Sequence, residues 1–506
     1  MRAPPALATP SRGARCVRFR HRVQLSVEKG KTTRMGVLMD ARSQRDGRTR
    51  VAAVPVPTRA PARVTWAAMM FVAAAVVLLW TATPSRAGAG EAVWVHTWNA
   101  PTPGEVYVAK TEVRPGGGMY VAASLRRASG DLDIFVLRFT AGGTVDWVKH
   151  YDGPSHGVDL MTGLAVDGHG NVVVCGSSGT REGKEDWVVL KYGADGRRRW
   201  VRTLAGAIGG SDVPQAIAVD SGGNVIVAGS ISRRTTGSDW CVAKLSPGGR
   251  WLWRTTMTRS AEGRDEALAV AVDPADAHIY VTGRLHAGGT GDDVVTVRYR
   301  ADGRRVWRAG WNGDESGPDR GVALALSDGG VAVAGVSRSP ASGDDALVLK
   351  YTRNGAFRWS RVVDGDRGAA GVDRFVTVGI DRHGNVVAGG GLTSVAGQGA
   401  DAAVLRYVAS GGPGGSWRLP GAVGDESVFD LAVTPDGASF AAGTSAGASA
   451  DAFVAGLSHA VTPLWPPFVY DGAGADDVAQ SVAVSSGAVY VAGVSGADLL
   501  IMKFAR

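Results

Sequence analysis

Cysteine is scarce in this chain, three residues in 506, and that scarcity excludes a fold held by a disulfide framework. Cys16 lies in an N-terminal leader, which leaves Cys175 and Cys241 on predicted strands of neighbouring repeats. They read as small buried hydrophobes, with a single bridge between repeats as the alternative. Metal-ligand spacing is also missing: the histidines downstream of the leader are scattered and no H-E-x-x-H occurs, so no metal site is assigned. No phosphate-binding loop and no Cys/His pair with a partner appears, so no catalytic residue is assigned. Ser155-His156 with Asp159 is proximity in sequence, whereas triad members meet through the fold.

An excess of positive charge is absent from the part that folds. The formal net charge is +8, but residues 1–63 hold fifteen Lys or Arg against three acids, and the remainder carries 40 basic and 44 acidic residues. A slightly acidic domain offers no basic groove for phosphates, which excludes nucleic acid as a partner. Long apolar runs are missing too. The longest, Trp66–Trp80, lies in a segment with no charge between Arg63 and Arg86 and is followed by Ala87-Gly88-Ala89. Fifteen apolar residues fit a secretory core ending at an A-x-A site better than a membrane span. The expectation is a basic leader over 1–63, with translation starting at Met35 or Met39 as one account of its length. A signal peptide or anchor over 64–89 and an exported domain over 90–506 follow. If the segment is not cleaved, 64–85 is the membrane contact and the Arg-rich side stays cytoplasmic.

Glycine is abundant, 72 residues, and it falls in register. The string Asp-x-x-Val-x-(Lys/Arg)-(Tyr/Phe), as in Asp186–Tyr192, alternates faces like a strand, and its Asp recurs at Asp133, Asp186, Asp239, Asp293, Asp345, Asp401, Asp451 and Asp498. Ten residues later stands Gly143, Gly196, Gly249, Gly303, Gly355 or Gly411, which suits a hairpin turn of positive φ. Fourteen residues after the Asp stands Trp147, Trp200, Trp253, Trp307, Trp359 or Trp465, with Trp417 displaced by two. A second string, as in Ala216–Gly229, reads as two strands around an Asp/Gly/Asn turn. Each unit of about fifty residues therefore has four strands. In the first strand one position is small in seven units: Ala165, Ala218, Ala271, Ala325, Gly379, Ala432 and Ala483.

This pattern predicts an all-β fold, a β-propeller of four-stranded blades with the small residues crowded at the axis and the tryptophans at the rim. Eight blades are expected. The last unit ends after Asp498–Phe504 without its Trp strand, and Trp94 in Val93–Trp98 is positioned to supply it, closing the ring. Seven is the alternative, because the unit over residues 105–124 has Glu112 at the small position and Ala123 where glycine is usual.

The strings resemble the bacterial β-propeller repeats called SBBP or delta-60 repeats, over roughly residues 94–506. That resemblance implies a secreted or surface-displayed propeller with no common reaction. Tyr192–Trp200 also resembles the Trp-docking repeat of quinoprotein dehydrogenases, but those enzymes have adjacent cysteines, and Cys175 and Cys241 are far apart.

One set of side chains invites a functional reading. An acid stands six residues before the small position in seven units: Asp159, Asp212, Asp265, Asp319, Asp373, Glu426 and Asp477. At a channel mouth such a ring could bind a cation or a basic ligand. The competing reading, which the regular repetition favours, has each acid accepting backbone N–H bonds in its own loop. The least repetitive loops are Ser232–Gly237 and Ser410–Ser416. Together these features point to a monomeric, exported, non-enzymatic scaffold for a protein, glycan or cell-envelope component, with no cofactor other than a cation at the mouth. A propeller enzyme (hydrolase, lyase or quinoprotein-like dehydrogenase) with its site at that mouth is the alternative.

Overall fold

The computed structural model describes residues 88–506 except 100–104, 128–129, 182, 207–209, 235–236, 260–262, 290, 314–316, 340–341, 366–370, 394–398, 420–423, 448 and 473. The leader and the apolar segment up to residue 87 lie outside the described residues. Eight sheets, each built on four antiparallel strands in simple up-and-down order, form eight blades. Blades 1 to 7 span Val106–Tyr151, Asp159–Leu204, Val213–Met257, Glu266–Trp311, Arg320–Val363, Arg374–Arg418 and Ser427–Tyr470. Blade 8 takes three strands from Asp477–Ala505 and its outermost from Ala92–Trp98, so the expected closure by the N-terminal strand holds. The innermost strand of every blade packs on those of its two neighbours, and that of blade 8 packs on that of blade 1. The divergent first unit is thus a full blade and seven blades are ruled out. No described helix is long and apolar enough to cross a membrane.

The co-occurrence of Trp and Gly in the repeat has a contact behind it. In blades 1 to 5 the outer-strand Trp of the repeat donates its indole N–H to a carbonyl in the turn between the third and outer strands of the next blade: Trp147 to Ala194 at 3.3 Å, Trp200 to Pro247 at 2.9 Å, Trp253 to Ala301 at 3.0 Å, Trp307 to Arg353 at 3.0 Å and Trp359 to Ala409 at 3.1 Å. The glycine of that turn lies under the ring. A Cβ on Gly249 would come within 2.7 Å of Trp200 and one on Gly355 within 2.6 Å of Trp307, and both glycines have positive φ. The ring closes with the same device, since Trp94 donates to Ala141 at 3.2 Å and packs beside Gly143. On the other side of blade 8, Gly90 lies under Trp465 and so fills the turn-glycine role from the opposite chain end.

The Asp-x-x-Gly-Asn turns resolve in the same way. Asp167 accepts from the Asn171 amide and side chain and from Lys191, 3.0 Å away on the third strand of its own blade, and Asp220 repeats this with Asn224 and Lys244 at 2.9 Å. Asp381 pairs with Asn385 and Arg406. The lysine of one string and the aspartate of the other are a buried ion pair, not a calcium loop. Cys175 and Cys241 are free and buried in one cluster between blades 2 and 3, and burial pushes both thiols up to about 12.

Candidate functional site

Antiparallel order places the loops between second and third strands, and those crossing from blade to blade, at one end of the ring. The other two sets of turns lie at the opposite end. Ser232 and the turn Ser410–Ser416 therefore sit at opposite ends and cannot contribute to one site.

All seven ring acids begin an inner strand at the blade-crossing end, and all are at most 2% exposed. Each carboxylate turns into the junction with the preceding blade. Asp159 accepts from the Gly153 amide at 2.6 Å, Asp319 from Gly313 at 2.8 Å, Asp373 from Gly365 at 2.8 Å and Asp477 from Gly472 at 2.5 Å. Asp212 does the same with Gly206, and its other oxygen takes the Ser232 amide at 2.5 Å. Asp265 takes the amides of Arg259 at 3.3 Å and His286 at 2.7 Å, and Glu426 is held by the amides of Ala402 and Ala446. Six of the acids staple the crossing loop to their own blade, and Glu426 joins the third strand of blade 6 to blade 7. Burial raises the carboxyls of Asp159, Asp265, Asp319 and Glu426 above the usual range, opposed by these bonds. The seven do not converge on an open mouth.

A different group faces the axis. A cavity of about 470 Å³ lies between the inner strands of blades 7, 8, 1, 2 and 3, with Lys110, Glu112, Asp430 and Ser481 in its wall. Inner strands have one unpaired edge, and here side chains of the preceding blade serve it. Gln480 accepts from the Ala109 amide at 2.6 Å and donates to the Tyr107 carbonyl at 3.2 Å. Ser481 accepts from the Thr111 amide at 3.1 Å and donates to Asp430 at 3.0 Å, and Asp430 also takes the Val482 amide at 3.0 Å. Asp430, Ser481 and Gln480 thus weld blades 7, 8 and 1 where the chain ends meet.

Glu112 and Lys110 take no part in that weld, and no side-chain hydrogen bond holds either among the described residues. Glu112 is exposed to the channel and is walled by the inner strands around it. Burial, then the charge of Asp430, pushes its carboxyl from 4.5 up to about 7, against the pull of Lys110. It occupies the position that is Ala or Gly in the other seven blades, so repeat geometry does not demand it. The sequence flagged Glu112 only as a flaw in the repeat. Broken symmetry was the signal that could have identified it.

The raised carboxyl has a thermodynamic consequence with a definite sign. Between pH 4.5 and 7 the unfolded chain ionises Glu112 while the folded chain keeps its proton, so stability falls as pH rises through this window and levels off above it. Glu112→Gln removes the penalty. The variant is expected to match the parent at pH 4.5 and to exceed it by about 1–2 kcal/mol at pH 8, after allowance for screening by channel water. Urea midpoints at the two pH values test this, and a difference independent of pH would refute it.

No G-x-S-x-G string is expected from the repeat, but that expectation is wrong, because Gly443-Thr-Ser445-Ala-Gly447 has the spacing of a nucleophile elbow. Ser445 ends a second strand and is 6% exposed, and its hydroxyl donates to the Asp451 carbonyl at 3.4 Å. It is not presented on a strand-to-helix turn, so it is no elbow.

No family model matches the chain, and no curated protein matches it. Among solved structures it is similar to a protein of unknown function from Dyadobacter fermentans, at 12% identity and a TM-score of 0.42, covering 83% of this chain and 100% of that one. It is also similar to the β-propeller domain of the Trilobed protease from Pyrococcus furiosus, at 8% identity and a TM-score of 0.40, covering 68% of this chain and 95% of that one. The eight closed blades of this chain rest on the strand pairing described above.

Proposed function

We propose that this chain is an exported, non-catalytic propeller that binds a polar group of a protein, glycan or cell-envelope component in its axial channel. One observation carries the reading: Glu112 is an acid with no structural bond, facing the channel at a position every other blade keeps small. Such a carboxyl, beside Lys110 and Asp430, supplies both donors and acceptors to a ligand, and ligand sites usually break the symmetry of a repeat. Export rests on the apolar segment before Ala87-Gly88-Ala89 and on the resemblance to SBBP and delta-60 repeats. A monomer fits a ring that consumes its own sheet edge.

A second reading has its own support. A carboxyl at about 7 is suited to general acid–base work at neutral pH, which favours a propeller enzyme acting at the same place. Screening the chain and its Glu112→Ala variant against envelope glycans and peptides separates the two. Alanine is the residue most blades carry there, so the variant keeps the fold. The binding reading expects a ligand that is not turned over and whose affinity falls at least about tenfold in the variant but not in Arg199→Ala on the rim. Turnover lost with Glu112 supports the enzyme, and ligands held equally by both proteins sink the channel site.

A further inference from the structure

We infer that the junctions between blades 5 and 6 and between blades 7 and 8 each hold a divalent cation of the calcium class. These sites lie in the blade-crossing loops and do not depend on the channel reading.

The argument begins with the aspartate that opens the third strand of each blade. In four blades an arginine meets it: Arg127 at 3.2 Å from Asp133, Arg233 at 3.2 Å from Asp239, Arg418 at 2.8 Å from Asp401, and Arg259 against Asp293. In blades 5 and 7 no arginine among the described residues meets it. Asp345 has only the Ser342 hydroxyl, at 2.7 Å, and Asp451 only that of Ser449, at 3.3 Å.

The loop after the outer strand brings Asp364 to Asp345 and Asp471 to Asp451, and the ring acid of the next blade, Asp373 or Asp477, completes each set. In both triads the oxygens lie within 4.8 Å of one another. Three carboxylates so close, with no basic partner among the described residues, repel strongly when ionised, and burial compounds the cost. Asp345 is held above the usual carboxylate range by burial, with the charges of Asp364, Asp373 and Asp344 adding to the rise against the Ser342 bond.

Unsatisfied atoms supply the second, independent observation. One oxygen each of Asp345, Asp364 and Asp477 is buried and accepts no hydrogen bond, and Asp345 and Asp477 are 4% and 0% exposed. Native interiors rarely leave such atoms without a partner, so an oxygen-seeking ion is what they lack. Oxygen-only donors select a hard cation. Loops of uneven reach suit the irregular six- to eight-fold shell of calcium better than the strict octahedron of magnesium.

The junction of blades 1 and 2 is an internal control. Asp133, His150 and Asp152 lie equally close there, but Arg127 stands 3.2 and 3.8 Å from the two carboxylates and His150 is 2.6 Å from Asp133. Asp133 and Asp152 also leave one buried oxygen each without a hydrogen bond, so what sets this cluster apart is the positive charge the protein supplies beside it. At the other two junctions the ion would clip the crossing loop to the third strand of the preceding blade, as Arg127 does here between Asp152 and Asp133.

Equilibrium dialysis of the chelator-stripped full chain against calcium chloride is expected to give two bound equivalents, with Kd on the order of 10⁻⁴–10⁻³ M, and at least tenfold weaker binding of magnesium. Asp345→Asn and Asp451→Asn should each remove one equivalent, the double variant both, and Asp133→Asn none. Hydrogen exchange on the unmutated chain needs no variant to fold: calcium should slow the amides of Gly365 and Gly472 at least tenfold and leave Gly153 unchanged. Fewer than two equivalents, two that survive the double substitution, or no slowing at Gly365 and Gly472 each overturns the assignment.

Discussion

Deleting residues 91–98 is expected to lower the thermal midpoint by roughly 10 °C or more and to convert a monomer into aggregates, the largest effect of any change outside the blade cores. The reason is the closing strand. Ala92–Trp98 pairs with Leu499–Phe504 along six register positions, and Trp94 and Trp98 pack against the cluster between blades 8 and 1. The lost ladder and apolar contacts together amount to on the order of 5 kcal/mol, and a bare edge remains along Asp498–Ala505. A synthetic peptide of residues 88–99 should restore most of the midpoint by re-adding the strand in trans. Scanning calorimetry and size-exclusion chromatography of the deleted chain, with and without peptide, decide the matter. A deleted chain that stays monomeric and melts within about 2 °C of the parent would show that a three-stranded blade closes the ring unaided.

Gly335→Ala is expected to destabilise the protein by about 3 kcal/mol, although alanine is the smallest possible change. In blades 2 to 8 the inner strand carries a bulge, as between Gly321 and Ala323, that drives a carbonyl toward the second strand. A Cβ on Gly335 would overlap the Arg320 carbonyl oxygen, and Gly390 and Gly493 face Arg374 and Val478 in the same way. Blade 1 supplies the contrast. Its bulge is displaced to Tyr107, two residues earlier in the repeat, so Ala123 pairs squarely with Ala109 where its counterparts must be glycine. Ala123→Gly should therefore cost only about 0.5–1 kcal/mol. Urea midpoints for both variants test this, and equal losses would show that the bulge is not what requires glycine.

Much of this architecture was legible because a repeat writes each structural need eight times. The period, the four strands, the rim tryptophans and the missing last strand were all readable from register, since local turns and alternation specify them. Even the oddity of Ala123 was visible, though not its cause, because a bulge is a property of pairing between two strands. The acids from Asp159 to Asp477 were found as a ring by the same register, but their direction was not. A carboxylate at the start of a strand can turn to the axis or into the junction, and the Gly153 and Gly472 amides that fix the choice belong to loops of differing composition.

The channel and the junctions were hidden for a related reason. Glu112 and Asp430 are 318 positions apart in the chain, and the closing of a ring is what brings blades 7, 8 and 1 around one cavity. Asp345, Asp364 and Asp373 come from two blades and the loop between them, so their proximity cannot be read from any one string. Periodicity along the chain encodes what every blade shares, and so the eight-bladed fold follows from the residues alone. What distinguishes one blade from another depends on contacts across the ring: a carboxyl left unbonded at the axis, and two junctions that each gather three aspartates. Those contacts exist only once the ring has closed.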